Sequence, residues 1–253
     1  MVVSFDRVAG IYDATRWSGV PPELLKKLLT TMKDLLAGCS TILDIGTGTG
    51  RFAEYFNGTG FNVVGIDVSL PMMAKARQKN LRNLIQADMH HLPFRDAAFD
   101  GAIMIHVLHL VRDWVQVVHE VGRVTRKVIV AEVEGGEGFS ARSRYLELRR
   151  EMGYSLDRFN DGEAGLRRLV RPVVVKLVSD YWTDVDVHEE IDSFDRRKSS
   201  VSWDIPTEVN HRIIQQLHSE NPEKTIRRRE IVEVVSWDPG HLRKVTGREL
   251  PSG

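Results

Sequence analysis

The feature of this sequence that most constrains its fold is a regular alternation of short apolar runs with segments of helical period. Most segments between the runs repeat apolar residues every three or four positions or start with a helix-capping residue. Strands that alternate with helices in this way predict βαβ units and a mostly parallel sheet. The runs that we interpret as buried strands lie at 41–46, 62–67, 83–88, 99–105 and 127–133.

Further helices and two further strands are predicted outside this region. An amphipathic helix is expected over 21–36, where two prolines open a segment with apolar residues at helical spacing. After residue 134 the alternation stops, and helices are expected at 163–170 and 206–219, with two further strands at 183–191 and 229–237. The sequence therefore predicts an α/β fold with a doubly wound, mostly parallel, seven-stranded sheet.

Composition excludes several classes of protein. The chain has 253 residues, and its 35 basic and 35 acidic side chains give no net charge. This balance lacks the basic excess typical of proteins that bind nucleic acid, so we expect no nucleic-acid partner. The single cysteine, Cys39, excludes an intrachain disulfide and a cysteine metal cluster. Because no apolar stretch approaches the roughly 20 residues of a membrane span, we expect a soluble, cytoplasmic protein.

The turn after the first predicted strand carries the most informative motif, ILDIGTGTGRF. Glycine is favoured there because the backbone must bend tightly and approach a ligand with no side chain between them. The amides at the start of the next helix can then hold a polar group. A nicotinamide or flavin dinucleotide site has the pattern G-x-G-x-x-G/A. Gly46 and Gly48 fit it, but Arg51 stands at the third glycine position, which argues against an oxidoreductase.

Two further carboxylates follow strands of the same predicted sheet. Asp67 ends the second strand, where a carboxylate can accept hydrogen bonds from both hydroxyls of a ribose. Asp88 ends the third strand and is followed by Met89, a pair suited to the edge and face of an adenine. Since the carboxyl ends of parallel strands meet at one crevice, the sequence predicts a nucleoside site there.

These segments resemble the class I S-adenosylmethionine-dependent methyltransferases, in particular the ubiquinone/menaquinone-biosynthesis branch (methyltransferase type 11). The resemblance covers about residues 5–135. It implies a Rossmann-like sheet with an N-terminal helical segment and an inserted cap. The segments that carry it are FDRVAGIYDATRW, LDIGTGTGRF, GIDVSLPMMAKAR and QADMHHLPFRDAAFDGAIMIHVLHLV.

The resemblance implies S-adenosyl-L-methionine as the cofactor and S-adenosyl-L-homocysteine as its product. The glycine loop would contact the methionine moiety, the end of the second strand the ribose, and the end of the third strand the adenine. The N-terminal segment would close over the methionine end. The cofactor-binding residues implied in this way are Tyr12, Arg16, Asp44, Gly46, Thr47, Gly48, Asp67, Val68, Met72, Asp88, Met89 and His106.

Two histidines follow the fourth strand, where the resemblance implies that the methyl acceptor enters. His106 and His109 are three residues apart, and either can accept a proton from a nucleophile, so we predict both as catalytic residues. The alternative is that they are ordinary polar residues of a loop. No H-E-x-x-H or comparable spacing occurs among the nine histidines, and we predict no metal site.

The sequence thus favours transfer of a methyl group to a small-molecule acceptor by in-line displacement. A base is needed only if the acceptor atom must lose a proton. Three alternatives stay open: an RNA or protein methyltransferase on the same fold, a non-catalytic protein that binds S-adenosylmethionine, and a nicotinamide oxidoreductase. The oligomeric state expected is a monomer or a homodimer.

We expect residues 1–253 to form a single domain with four parts. The region after residue 135 is the least similar to the family, and it is where the family varies its acceptor pocket. The parts are an N-terminal helical lid at 1–36, a cofactor-binding core at 37–134, a region with the acceptor-pocket cap at 135–225, and the last strand and tail at 226–253.

Overall fold

The computed structural model describes residues 5–16, 20–154, 156 and 162–249, and the side chains of Thr15, Arg16 and Glu249 lie outside that description. The chain divides into two compact units. The first consists of residues 1–134, 158–179 and 232–253, and the second of residues 135–157 and 180–231. The single domain and its four parts stay a prediction.

Seven strands form one sheet in the order β3-β2-β1-β4-β5-β7-β6. The pairs β1–β2, β1–β4, β2–β3 and β4–β5 are parallel. This order, which reverses direction beside β1, confirms the doubly wound, mostly parallel sheet with a Rossmann-like arrangement. The strands are β1 Thr41–Ile45, β2 Asn62–Asp67, β3 Leu84–Gln86, β4 Phe99–Met104, β5 Thr125–Glu137, β6 Val174–Asp186 and β7 Thr225–Trp237.

Helices connect the strands, and local signals in the sequence explain where they start. Ser69 accepts a hydrogen bond from the amide of Met72 at 3.2 Å and so caps α4, with Pro71 in the first turn.

Among the described residues, none of the helices is long and apolar enough to cross a membrane. The helices are α1 Tyr12–Arg16, α2 Pro22–Leu35, α3 Arg51–Gly58, α4 Leu70–Gln78, α5 Trp114–Val124, α6 Ala141–Glu151, α7 Gly162–Leu169, α8 Val187–Asp195, α9 Thr207–Glu220 and α10 Pro239–Glu249.

The core of the first unit lies on both faces of the sheet. Side chains alternate along each strand, so Ile42 packs into one apolar cluster and its neighbour Leu43 into the other. The cluster with Leu43 includes residues of α5, α7 and α10, and the cluster with Ile42 includes residues of α2, α3 and α4. Strands that are buried on both faces read as continuous apolar runs, and this is why they were recognisable in the sequence.

The second unit packs its helices around aromatic and polar side chains. The ring of Tyr145 on α6 lies 4.7 Å from the ring of Phe194 on α8, measured between centroids. The Tyr145 hydroxyl donates a hydrogen bond to Asn210 on α9. Arg149 is buried and donates to the carbonyl of Val201. These contacts give the unit a core of its own.

The prediction of a strand at 183–191 was wrong in its position. The strand ends at Asp186, and residues 187–195 form α8. Asp186 accepts a hydrogen bond from the amide of Glu189 at 2.9 Å and thereby starts the helix. Val187 and Ile191 are four residues apart and buried on one face, which is helical spacing rather than strand alternation.

The turn between β1 and α3 requires glycine at its last position. Gly50 has φ +77°, in the left-handed region. A Cβ at this residue would lie 2.3 Å from Leu81 Cδ1 and 2.8 Å from Ala76 Cβ. Gly38 has a similar φ of +80°, but a Cβ there would meet nothing within 4 Å. The two residues therefore separate backbone strain from steric overlap.

We expect Gly50→Ala to destabilise the protein more than Gly38→Ala. The left-handed conformation costs an alanine about 1–2 kcal/mol at either position, and overpacking against α4 adds roughly 1–3 kcal/mol at Gly50 alone. Urea unfolding of both variants measures the difference in the free energy of unfolding. Equal losses in the two variants would show that the turn has room to adjust.

Candidate functional site

A cleft opens in the first unit at the carboxyl ends of β1, β2 and β4. Its empty volume is about 480 Å³, which includes space open to solvent. Most of its wall is apolar, and Asp67 is the one carboxylate among the lining residues. The residues that line it are Phe5, Tyr12, Gly46, Gly48, Asp67, Val68, Met72, Met89, Ile105, His106, Val107 and Leu110.

Eight of the residues predicted to bind the cofactor line this cleft: Tyr12, Gly46, Gly48, Asp67, Val68, Met72, Met89 and His106. Asp44, Thr47 and Asp88 are not among the lining residues, and the side chain of Arg16 lies outside the described residues. Phe5, Ile105, Val107 and Leu110 were not predicted. These four are apolar, and the sequence holds no signal that separates them from ordinary core residues.

Asp44 and Thr47 support the glycine turn from behind. The Thr47 hydroxyl donates to Asp44 Oδ2 at 2.6 Å, and both side chains are buried. Burial raises the pKa of Asp44 to about 7, the hydrogen bond from Thr47 lowers it, and the neighbouring Asp67 carboxylate raises it further. The turn thus depends on a buried carboxyl group that does not reach the cleft.

Asp67 joins the two loops that border the cleft. Its Oδ2 accepts a hydrogen bond from the amide of Gly48 at 2.9 Å, and its Oδ1 accepts one from the amide of Ser69 at 2.8 Å. Burial raises the pKa of Asp67, and these backbone amides oppose the rise by stabilising the charged form. The carboxylate is therefore fixed between the glycine turn and the start of α4, and it borders the cleft.

The N-terminal segment is attached to the same two loops. Asp6 accepts a hydrogen bond from the Ser69 hydroxyl, with 2.5 Å between the oxygens. Asp13 accepts one from the Thr49 hydroxyl at 2.5 Å and pairs with Lys79 at 2.8 Å. Burial raises the pKa of Asp13, but the hydrogen bonds from Lys79 and Thr49 outweigh it, so this pKa lies below its usual value.

These attachments bring two aromatic rings of the N-terminal segment into the cleft wall. Phe5 and Tyr12 meet edge to face, with 5.8 Å between their centroids, and both line the cleft. The sequence predicted a lid and Tyr12, but it did not predict the acidic side chains that fasten it. Such contacts join residues that are up to 63 positions apart, and no local pattern reveals them.

Asp88 contacts the next residue but one, His90, and its role at the adenine stays a prediction. Its Oδ1 accepts a hydrogen bond from the amide of His90 at 2.9 Å and lies 2.6 Å from His90 Nδ1. Partial burial raises the pKa of Asp88, but these contacts outweigh that effect and leave the pKa below its usual value. Met89, the next residue, does line the cleft.

His106 stands at the end of β4 in an unusual backbone conformation, with φ +52°. Its Nε2 lies 3.4 Å from Glu132 Oε2 and 3.8 Å from Glu134 Oε1. Glu132 is 6% exposed, whereas the side chain of Glu134 is 59% exposed. Met104 pairs with Ala131 in the sheet, so the residues that follow on β4 and β5 meet at one edge.

Sequence reasoning missed Glu132 and Glu134. The available signal was a pair of acids two residues apart near the end of a predicted strand, which places both on one face. One ligand atom from each of His106, Glu132 and Glu134 lies within 4.8 Å of the others, close enough for three groups to share a metal ion. The absence of a metal site stays a prediction.

His109 does not line the cleft. It lies in a short 3-10 turn at Leu108–Leu110, and a Cβ on Gly162 at the start of α7 would come within 3.0 Å of it. The two predicted catalytic histidines therefore have different positions, and His106 is the one beside the cleft.

Residues 43–128 match the family model described as a methyltransferase domain. These residues include the carboxyl end of β1, the glycine turn, Asp67 and His106. The match thus covers the strands that border the cleft, but not the N-terminal segment or the second unit.

Two curated relatives are similar to parts of this chain. The malonyl-[acyl-carrier protein] O-methyltransferase of Hamiltonella defensa is 31% identical over 49% of this chain and 46% of that protein. The 2-phytyl-1,4-naphtoquinone methyltransferase of Nostoc punctiforme is 26% identical over 70% of this chain and 90% of that protein. The chain spans less than half the length of the first three curated relatives it matches.

A solved structure extends the likeness of the fold over most of the chain. The YcgJ protein from Bacillus subtilis aligns with a TM-score of 0.55 at 17% identity, covering 85% of this chain and 97% of that one. The sheet order, the family match and the quinone methyltransferase relative agree. Residues 43–128 are therefore similar to a methyltransferase domain, and the chain is similar in part to a quinone methyltransferase.

Proposed function

We propose that this protein is an S-adenosylmethionine-dependent methyltransferase that acts on a small-molecule acceptor. The observation that carries the proposal is the cleft in which a glycine turn, the Asp67 carboxylate and His106 meet. The neutral charge balance favours a small molecule over RNA. We further propose that the protein is cytoplasmic and acts as a monomer or a homodimer.

The residues present fit this cofactor. A Cβ on Gly46 would lie 2.6 Å from Val107 Cγ2, and one on Gly48 would lie 3.2 Å from Met72 Cε, so only glycine leaves this backbone open to a ligand. Asp67 would accept hydrogen bonds from the ribose hydroxyls, while Met72 and Met89 would pack against the adenine. When bound, the cofactor supplies a methyl group that is already activated by its sulfonium.

The chain's own part in the reaction is alignment, exclusion of water and handling of a proton. Alignment of two reacting groups accelerates a reaction without any covalent step on the protein. Phe5, Ile105 and Leu110 give the cleft apolar walls. The His106 imidazole accepts the proton of the acceptor, and the buried Glu132, which lies 3.4 Å from Nε2, stabilises the imidazolium that results.

The first test is cofactor binding by Asp67→Asn. Loss of hydrogen bonds to a charged group costs about 1.5–3 kcal/mol, so we expect the affinity for S-adenosylhomocysteine to fall by roughly 10- to 100-fold. Calorimetric titration measures the dissociation constant. Asp34→Asn, which changes an exposed acid on α2, is the control and leaves binding unchanged. Failure of the wild type to bind either form of the cofactor would refute the proposal.

The second test concerns the acceptor step. His106→Asn keeps a residue that tolerates φ +52°, so we expect cofactor affinity within about threefold of wild type. Methyl transfer is expected to fall by roughly 10²- to 10⁴-fold, the usual contribution of a general base. The assay follows radiolabelled methyl transfer to menadiol, catechol and benzylamine, with the exposed His91→Asn as the control. Undiminished transfer in His106→Asn would exclude this role.

The third test concerns the metal. We expect methyl transfer to be unchanged after dialysis against EDTA, because the proposed mechanism assigns the proton to the His106 imidazole and not to a metal-bound group. Assays with added Mn²⁺ test whether a supplied metal ion changes the rate of methyl transfer. Stimulation by Mn²⁺ that disappears in Glu134→Gln would mean that His106, Glu132 and Glu134 are metal ligands, and would replace the proton-transfer role of His106.

A further inference from the structure

Glu163 is a buried carboxylate that the proposed mechanism does not use. It lies in the first turn of α7 in the first unit and is 7% exposed. No ion pair to it occurs among the residues that the structure describes. Burial of an ionisable group without a cation is costly unless hydrogen bonds satisfy it, so its surroundings must explain why it is there.

The partners of Glu163 are two consecutive backbone amides of the cleft wall. Its Oε1 accepts hydrogen bonds from the amides of Val107 at 2.9 Å and Leu108 at 3.1 Å. Burial raises the pKa of Glu163, and these two amides oppose the rise. One oxygen atom therefore fixes the backbone immediately after His106.

This backbone segment needs to be held. His106 has φ +52°, a left-handed conformation that is costly for a non-glycine residue and persists only where the surroundings impose it. The start of α7 also packs closely against the segment, since a Cβ at Gly162 would lie 2.9 Å from the amide nitrogen of His109. Glu163 and Gly162 together thus hold the segment from His106 to His109 on one side.

The side chain of Val107, in the same segment, lies against the glycine turn. Val107 lines the cleft, and its Cγ2 lies where a Cβ on Gly46 would reach within 2.6 Å. A shift of Val107 would therefore change both the approach to the glycine turn and the direction of His106. A displacement of about 1 Å in such a site can cost roughly 100-fold in rate.

We propose that Glu163 is a positioning residue, whose carboxylate holds the amides of Val107 and Leu108 and thereby sets the position of the His106 imidazole relative to the glycine turn. The effect of Glu163 on catalysis rests on the proposed function, but its effect on the position of His106 can be tested without a methyl acceptor. No proton or bond is transferred at Glu163.

The test compares Glu163→Gln, Glu163→Asp and Glu163→Ala in the full chain. An amide oxygen can still accept both hydrogen bonds, so Glu163→Gln is expected to resemble wild type. In Glu163→Asp the side chain is shorter, so its carboxylate no longer reaches the two amides, and Glu163→Ala has no carboxylate. In these two variants we expect the amide hydrogens of Val107 and Leu108 to exchange at least tenfold faster, and the ¹⁵N resonances of the His106 ring to move.

Glu120→Ala is the matched control. Glu120 also accepts a backbone hydrogen bond, from Leu92 at 3.1 Å, but neither residue lines the cleft. We expect it to lower the stability while the His106 ring resonances stay in place. Resonances that also stay in place in Glu163→Ala and Glu163→Asp would overturn the positioning role and leave Glu163 as a structural residue.

Titration with S-adenosylhomocysteine separates this proposal from the proposed function. We expect about tenfold weaker binding by Glu163→Ala and wild-type binding by Glu163→Gln, because Val107 borders the glycine turn. A wild-type protein that binds no cofactor would refute the proposed function, while the resonances of the free protein still decide the role of Glu163. Cofactor binding that is unchanged in Glu163→Ala would contradict the link between Val107 and the turn.

Discussion

The hydrogen bonds of Asp67 are the interaction on which the rest of the cleft depends. One carboxylate accepts from the amide of Gly48 in the first loop and from the amide of Ser69 in the second. A loop of glycines is otherwise the most flexible part of such a chain, because glycine loses the most conformational freedom on folding. Because one half-buried acid binds both loops, the flexible glycine turn becomes a defined wall of the cleft.

The other parts of the cleft are attached to this frame by acids on remote segments. Asp6 binds Ser69 and Asp13 binds Thr49, so the N-terminal segment is held by hydroxyl groups that belong to the two loops. On the far side, Glu163 holds the amides that follow His106. In each case a carboxylate pairs with a hydroxyl or an amide, and directional hydrogen bonds of this kind fix position more closely than apolar packing does.

The arrangement also distributes charge in a way that suits a sulfonium donor. Asp67 lines the cleft, and Glu132 and Glu134 stand behind His106. None of the twelve lining residues is a lysine or an arginine. A cationic cofactor would therefore meet carboxylates at the ribose end and beyond the histidine, while apolar side chains exclude water between them.

The sequence by itself determined the sheet, the glycine turn and eight residues of the cleft wall. These could be predicted because buried parallel strands are continuous apolar runs, and because the ends of such strands must meet at one edge. The position predicted for β6 was wrong. Val187 and Ile191 are four residues apart, which is helical spacing, but a segment of nine residues is too short to distinguish this spacing from strand alternation.

Only the tertiary structure decided the partners of the acids. The place of Asp88 after a strand predicts an adenine contact, and the fold adds contacts with His90 that the strand pattern did not show. Glu132 and Glu163 looked like ordinary charged residues until folding buried them beside His106 and Val107. The physical reason is that a carboxylate takes its role from the donors that surround it, and those donors come from segments far away in the sequence.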